Sequence, residues 1–162
     1  MVQTESQGSC MTETLSIAVI RPEGESGFKE FLDQNPNAQY IRQRPERFYR
    51  STIDNQTAIG AVHNGRFIGV ACRFDYVDSD STLPSTLDLH VEYGAQIVDP
   101  EFSGFGLQKI LCATSLMLGL FTITDATHFA VVDSQNPFFE RSAKSLTAAG
   151  FTPTPIGDEF AH

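Results

Sequence analysis

The sequence lacks any hydrophobic run long enough to cross a bilayer. Its longest apolar segment, residues 110–123, is shorter than the roughly 18–20 residues that a transmembrane helix requires, so it predicts a buried core helix. Residues 1–13 are polar and acidic, without the basic start and apolar middle of a secretory signal. We therefore expect a protein with no membrane association.

Cysteine is scarce: the chain has three, Cys10, Cys72 and Cys112, and they are far apart. An odd number of widely spaced cysteines, with no Cys-x-x-Cys pair, argues against a thiolate zinc site and favours a reducing compartment. We expect a cytoplasmic protein with no bound metal.

Positive charge is missing from a long central stretch. The net charge is −9, and no lysine or arginine occurs between Phe74 and Leu107. Such a surface disfavours nucleic acid and would attract a cationic amine, although acids on loops can also serve only to keep a protein soluble. The acidic residues in this stretch are Asp75, Asp78, Asp80, Asp88, Glu92, Asp99 and Glu101.

The pattern of apolar residues and turns predicts one α/β domain. With 162 residues and 41% hydrophobic content, residues 15–162 can form a single core, preceded by a disordered leader at residues 1–14. Asn64-Gly65 between two apolar runs is typical of a β-hairpin. The predicted order is a strand at 15–20, helices at 26–35 and 45–53, a hairpin at 57–76, strands at 87–97 and 127–132, a helix at 136–150 and an edge strand at 151–156.

The strand at 87–97 alternates strictly between apolar and polar residues. If it has no bulge, its two faces carry different chemistry. The apolar face then holds Leu87, Leu89, Val91, Tyr93, Ala95 and Ile97. The polar face holds Asp88, His90, Glu92, Gly94 and Gln96.

A Gly-x-Gly turn, Gly104-Phe105-Gly106, follows this strand and opens a helix. Glycines let a ligand approach the backbone, and the first N–H groups of a helix favour an anion such as a phosphate or pyrophosphate. Alternatively, the two glycines only make a tight turn. Lys109 fits neither a Walker loop nor the third glycine of a Rossmann fingerprint. The predicted buried stripe of the helix is Leu107, Ile110, Leu111, Thr114, Leu118 and Phe121.

The run from Glu101 to Gly106 resembles motif A of the GNAT N-acyltransferase superfamily, Gln/Arg-x-x-Gly-x-Gly/Ala. The order of elements over residues 15–156, with a closing Gly150-Phe151, is similar to that family as well. The resemblance implies a mixed, mostly antiparallel sheet flanked by helices. Glu101 departs from the motif, and few residues follow Phe151, so the C-terminal strands are either shortened or completed by a second subunit in a homodimer.

The resemblance also implies acyl-CoA, with acetyl-CoA as the acyl donor. In the family, backbone amides of the motif hold the pyrophosphate. Asn136 stands near the position of a CoA-contacting asparagine of the family, with helix capping as its alternative role. The implied CoA-binding residues are Ile97, Val98, Phe102, Ser103, Gly104, Phe105, Gly106, Leu107 and Asn136.

The candidate catalytic residues are His90, Glu92 and Tyr93. His90 and Glu92 share a face of the strand on which relatives carry a base, although they can equally form a solvated strand surface. The family's usual acid is a tyrosine, and Leu146 occupies that position, so Tyr93 or Tyr49 could replace it or simply pack in the core.

Two functions remain open. One is an acyl-CoA-dependent N-acyltransferase that acetylates an amine of a small molecule or protein. The other is an inactive GNAT-fold module that binds a partner or senses CoA. Four arginines could meet a CoA phosphate, an acidic acceptor or a partner subunit, or could form solvated helix surface. They are Arg42, Arg44, Arg47 and Arg50.

Overall fold

A computed structural model describes residues 14–41, 43–77, 89–132 and 134–153. The expected leader therefore lies outside the described residues except for Thr14, as do residues 154–156 of the last expected strand. The strands are β1 (Leu15–Val19), β2 (Ala58–His63), β3 (Arg66–Val77), β4 (Leu89–Val98) and β5 (Thr127–Phe129). The helices are α1 (Glu25–Gln34), α2 (Glu46–Asp54), α3 (Leu107–Thr122) and α4 (Phe139–Ala148), with short 3-10 turns at Pro22–Gly24, Pro36–Tyr40 and Pro100–Phe102.

The five strands form one sheet in the order β1-β2-β3-β4-β5. The first three pairings are antiparallel, while β5 pairs with β4 in parallel. The hairpin turn has positive φ at Asn64 and Gly65, as the Asn-Gly signal predicts. The predicted mixed, mostly antiparallel sheet flanked by helices is confirmed.

Helices cover both faces of the sheet. On one face, Phe28 of α1 and Ile53 of α2 pack with Val70, Phe74 and Ile97. On the other face, α3 packs against the sheet in a second cluster of Ile59, Ala61, Ile68, Ala71, Leu107 and Leu111. The central strands, and the side chains on them, are therefore held between two helical layers.

A β-bulge interrupts β4 and changes the predicted faces. Val70 lies opposite Ile97 and Cys72 lies opposite Gly94, so β4 has one extra residue between these pairs, and Ala95 has φ +48°. Beyond the bulge, Ala95 and Ile97 pack on the α1–α2 face, whereas the side chain of Gln96 lies near Cys112 of α3. The prediction of strict alternation to Ile97 is therefore wrong, because local alternation cannot reveal an extra residue.

The predicted buried stripe of α3 is also only partly correct. The helix packs through Leu107, Leu111, Cys112, Ser115 and Gly119, a face rich in small residues. A side chain at Gly119 would collide with the Tyr93 hydroxyl, so glycine allows this close approach. The large apolar residues instead form an exposed surface, the α3 apolar stripe, with Phe121 81% exposed. It comprises Ile110, Met117, Leu118, Leu120 and Phe121. No helix among the described residues is both long and apolar enough to span a membrane.

Candidate active site

The turn between β4 and α3 is built from left-handed backbone. The Asp99 side chain accepts a hydrogen bond from the Glu101 N–H at 3.0 Å, which fixes the Pro100–Phe102 turn. Gly104 and Gly106 then have φ of +92° and +79°, and a Cβ on either would meet nothing within 4 Å. Glycine is needed here for backbone conformation, and open space remains in front of the turn. The first N–H groups of α3 can therefore meet an anion.

Glu101, which departs from the family motif, lies beside a cation. Its Oε2 is 3.8 Å from Nη2 of Arg66, and the same guanidinium forms an ion pair with Asp99. Arg66 precedes Asp99 by 33 residues, so sequence reasoning had no signal for this contact. The pairing reduces the repulsion that Glu101 would exert on a phosphate at the turn.

A second cation reaches the turn from α4. Nη1 of Arg141 donates a hydrogen bond to Ser103 Oγ at 3.1 Å. Lys109 lies in the first turn of α3, and its side chain is exposed. Arg141 was missed by sequence reasoning, since the contact forms only when α4 packs against α3. Arg141 thus gives the turn a positive side-chain charge in addition to that of the helix end.

Next to this turn, β4 and β5 separate. Their last pair in register is Glu92 with Phe129, while β4 continues to Val98. The bulge at Ala95 lies in this part of β4, which pairs with β3 but not with β5. Ile97 is buried in the α1–α2 core, and Val98 packs on the α3 cluster, so any ligand contact of either residue would use its backbone.

The predicted bases, His90 and Glu92, have different surroundings. Glu92 is buried, and both its carboxylate oxygens lie 2.6 Å from Nη2 of Arg44. The Arg44 guanidinium stacks over the Phe74 ring at 4.2 Å from the centroid. The His90 ring is half-buried and lies edge-on to Phe129. The Arg44 guanidinium thus engages both carboxylate oxygens of Glu92.

Tyr93 lies on the opposite face, against α3. Its hydroxyl is 2.8 Å from Nδ1 of His128, and Nε2 of that histidine is 3.2 Å from the Ile123 carbonyl. Because a carbonyl only accepts, these bonds assign the proton to Nε2, and Tyr93 donates to Nδ1. Burial raises the pKa of Tyr93 to about 12, so it keeps its proton at neutral pH. Sequence reasoning missed His128, which pairs in register with Val91.

The Asn136 side chain makes two hydrogen bonds to backbone groups. Its Oδ1 accepts from the Phe138 N–H at 2.8 Å just before α4, and its Nδ2 donates to the Tyr40 carbonyl at 2.7 Å. The N-cap of α4 is Phe138, and no side chain caps this helix, so the capping role expected for Asn136 is wrong: its side chain closes a turn before the helix instead. Among the described residues, no group of three or more histidine, cysteine, aspartate or glutamate side chains is arranged to hold a metal.

A cleft of about 240 Å³ opens between α1 and α2. Its lining is mixed: apolar side chains, among them Phe28, Leu32 and Ile53, lie beside charged ones that include Lys29, Asp33, Arg44, Glu46 and Arg50. It lies on the same face of the sheet as Glu92 and away from the glycine turn.

No profile of a known protein family matches the chain, and no curated protein matches it. Solved structures do. Naa50 of Arabidopsis thaliana, in complex with the bisubstrate analogue CoA-Ac-MVNAL, superposes with a TM-score of 0.65 at 15% identity, over 90% of this chain and 89% of that one. The chain has the GNAT fold.

Two further structures are similar to this GNAT-fold chain. AAC(6')-Iy, bound to the bisubstrate analog CoA-S-monomethyl-acetylneamine, has a TM-score of 0.62 and 17% identity, over 89% of this chain and 95% of that one. A ribosomal-protein-alanine N-acetyltransferase from Brucella melitensis has a TM-score of 0.59 and 18% identity, over 89% and 98%. Identities this low establish the fold, and activity must be argued from the residues of this chain.

Proposed function

We propose that the protein is an acyl-CoA-dependent N-acetyltransferase that moves an acetyl group from acetyl-CoA to an amine of a small molecule or protein. The observation that carries this proposal is the glycine turn opening α3 beside the point where β4 separates from β5. Two of the similar structures are complexes with CoA-containing bisubstrate analogues, which supports the choice of donor.

In this proposal, the glycine turn holds the diphosphate of acetyl-CoA. The N–H groups at the start of α3, with Arg141 and Lys109, supply hydrogen bonds and positive charge. The open space in front of Gly104 and Gly106 suits close approach of a phosphate, and Phe102, Ser103, Phe105 and Leu107 form the rest of this turn. The acyl end would follow the part of β4 that does not pair with β5, where backbone groups on that edge are available to polarise the thioester carbonyl.

Transfer requires one proton acceptor and one proton donor. The amine nitrogen attacks the thioester carbon, the C–S bond breaks, and the amine loses a proton while the thiolate gains one. We assign the acceptor role to the face carrying His90 and Glu92. We assign the donor role to Tyr93, which remains protonated at neutral pH.

The second candidate function is a GNAT-fold module that binds CoA or a partner without catalysis. Two observations favour it: Leu146 is buried where the family's tyrosine would stand, and the Glu92 carboxylate is engaged by Arg44. Acetyl-CoA would then bind and no amine would be acetylated.

We also propose a cytoplasmic homodimer. The buried thiols of Cys72 and Cys112 are free, which suits a reducing compartment. The α3 apolar stripe has no charged residue between Lys109 and Asp125, whereas the chain as a whole carries −9. Two copies can therefore meet through this uncharged face with little mutual repulsion.

The function is tested by incubating the protein with acetyl-CoA and a panel of amines, and by following the release of CoA thiol together with the mass of the product. We expect amine-dependent thiol release and a product heavier by one acetyl group. Tight binding of acetyl-CoA without any acetylated amine would favour the non-catalytic module.

A further inference from the structure

We propose that Ser115 of α3 binds acetyl-CoA, and that its hydroxyl donates a hydrogen bond to the pantetheine arm of this ligand near the thioester. The inference rests on the proposed binding of acetyl-CoA. It adds a contact that lies more than two helical turns beyond the glycine turn, on the face of α3 that packs against the sheet.

The hydroxyl of Ser115 is buried and has no partner. The residue is only 2% exposed, and its Oγ makes no hydrogen bond to any of the described residues. A serine inside a helix can return its hydroxyl to the carbonyl one turn earlier, but Ser115 does not. A buried hydroxyl without an acceptor lowers the stability of the protein, so an acceptor supplied by a ligand would remove this cost.

Two neighbours on α3 locate Ser115 along β4. Cys112, three residues earlier, lies near Gln96, and Gly119, four residues later, lies against the hydroxyl of Tyr93. The two helix positions are about 10 Å apart along the axis, and the two strand positions are about 10 Å apart along β4. Ser115 therefore faces the part of β4 between them, which is the bulge.

The bulge leaves this part of β4 without side chains that point towards α3. Ala95 packs on the α1–α2 face, and a Cβ added at Gly94 would meet Phe74 on that same face. Two consecutive residues thus point away from α3, where regular alternation would send one of them towards it. Only the backbone of β4 lies opposite the hydroxyl of Ser115.

The bulge can be reached from the edge of β4 that faces β5. Within the described part of the chain, β5 pairs with β4 only as far as Glu92. Residues 94–96 are accordingly half-buried, whereas Tyr93 is fully buried. An extended ligand that enters from the glycine turn along this edge meets the exposed part of β4 first, and Ser115 lies directly behind it.

The chemistry of acetyl-CoA matches a buried donor at this place. Its pantetheine arm carries two amide carbonyls and ends in the thioester, and each of these can accept a hydrogen bond from a serine hydroxyl. Tyr93, the proposed proton donor to the thiolate, lies against Gly119, one turn from Ser115 on the same helix face. Both hydroxyls are therefore expected to meet the sulfur end of the ligand.

The test removes the hydroxyl and compares two ligands. Ser115→Ala should weaken acetyl-CoA binding by about three- to tenfold, the usual effect of one hydrogen bond. Binding of ADP, which has a diphosphate and lacks the pantetheine arm, should be unchanged. Calorimetry measures both dissociation constants. The midpoint of thermal unfolding of the ligand-free variant should stay the same or rise, because a buried hydroxyl without a partner is removed.

Thr52→Val is the matched control. Thr52 is also 2% exposed, but its Oγ1 donates a hydrogen bond to the Tyr49 carbonyl at 2.7 Å, on the other face of the sheet. Loss of this satisfied hydroxyl should lower the unfolding midpoint and leave acetyl-CoA binding unchanged. The two variants should therefore change stability and affinity in opposite ways.

The outcomes separate this contact from the proposed function. Unchanged acetyl-CoA affinity in Ser115→Ala overturns the inference, and so does a lower unfolding midpoint, since the hydroxyl would then have a structural partner. If the wild-type protein does not bind acetyl-CoA, the proposed function fails and the inference fails with it. If Ser115→Ala weakens acetyl-CoA binding as expected and no amine is acetylated by the wild-type protein, acetyl transfer fails and this contact stands.

Discussion

At the scale of single residues, Arg66 explains how an acid can stand at position 101 of the glycine turn. The guanidinium of Arg66 pairs with both Asp99 and Glu101, so the surroundings of the turn are less negative than the sequence of this segment indicates. Both Arg66 and Glu101 are more than half exposed, so water and salt weaken their interaction.

Replacing Glu101 by glutamine should tighten acetyl-CoA binding modestly. The change removes one negative charge near the diphosphate, and solvent screening limits the gain to about 1 kcal/mol or less. Arg66→Gln should have the opposite effect, because it leaves two carboxylates without this cation. Calorimetry at low salt and at high salt measures both, and the effects should shrink at high salt. A weaker affinity of Glu101→Gln would mean that Glu101 itself contributes to binding.

Gly104 offers a direct test of the turn, with Gly150 as a matched control. Both glycines have strongly positive φ, +92° and +101°, and both have open space where a Cβ would lie. Gly104→Ala and Gly150→Ala should therefore cost a similar backbone strain, about 1–2 kcal/mol. Only Gly104→Ala should also weaken acetyl-CoA binding, by tenfold or more, because the added methyl group occupies the phosphate approach. Equal affinities of the two folded variants would contradict the assignment.

At the scale of elements, Tyr93 joins β4, β5 and α3. Its ring stacks on His128 of β5, packs against Phe151 and lies under Gly119 of α3. The same hydroxyl is the proposed proton donor, so structure and catalysis depend on one group.

Tyr93→Phe should lower kcat by about a hundredfold or more if the hydroxyl protonates the thiolate, while acetyl-CoA binding is unchanged. Tyr49→Phe is the control, since Tyr49 is also a partly buried tyrosine whose pKa burial raises, but it packs between Phe28 and Phe74 on the other face. An unaffected kcat in Tyr93→Phe would remove the tyrosine from the mechanism.

The pH dependence of stability gives Tyr93 a second readout. Its pKa of about 12 in the folded protein exceeds the value near 10 of an unfolded tyrosine, so the folded state favours the protonated form. This contribution is fully present below about pH 10 and is lost as the pH rises towards 12. The free energy of unfolding should fall in that range, and by less in Tyr93→Phe.

The elements also show what the sequence could and could not predict. The hairpin at Asn64-Gly65, the strand before the turn and the start of α3 follow from local signals, because turn chemistry and periodicity are local. The bulge at Ala95 depends on the register with β3 and was unpredictable from alternation. In α3, apolar residues occur on all sides, so periodicity could not indicate that the face around Gly119 is the buried one.

At the scale of the whole molecule, the predicted order of elements identified the fold, which solved structures confirm. The residues around the site were predicted less completely. Arg44 and Glu92 are 48 residues apart in the chain, and Arg141 and Ser103 are 38 apart. Such contacts arise from tertiary packing, which a single sequence does not reveal. The same limit explains why His128 was missed.

The α3 apolar stripe is the expected interface of the proposed homodimer. Light scattering at micromolar concentration should give the mass of two chains, and Phe121→Lys should give the mass of one, since a charge would be buried at the interface. Leu15→Lys is the control, because Leu15 is 60% exposed on β1 and lies outside the stripe. A monomeric wild-type protein would contradict the proposed dimer without affecting the proposed chemistry.

The central claim, acetyl transfer at the junction of β4 and β5, is tested most directly by the rate of acetyl-CoA consumption in the presence of an amine. Wild-type protein, His90→Gln and Glu92→Gln are compared, with the acetyl-CoA dissociation constant measured for each. The account predicts amine-dependent turnover that falls by about ten- to ten-thousandfold in the variant that lacks the base, at unchanged acetyl-CoA affinity. Amine-dependent turnover at the wild-type rate in both variants, or no turnover by the wild-type protein, would contradict it.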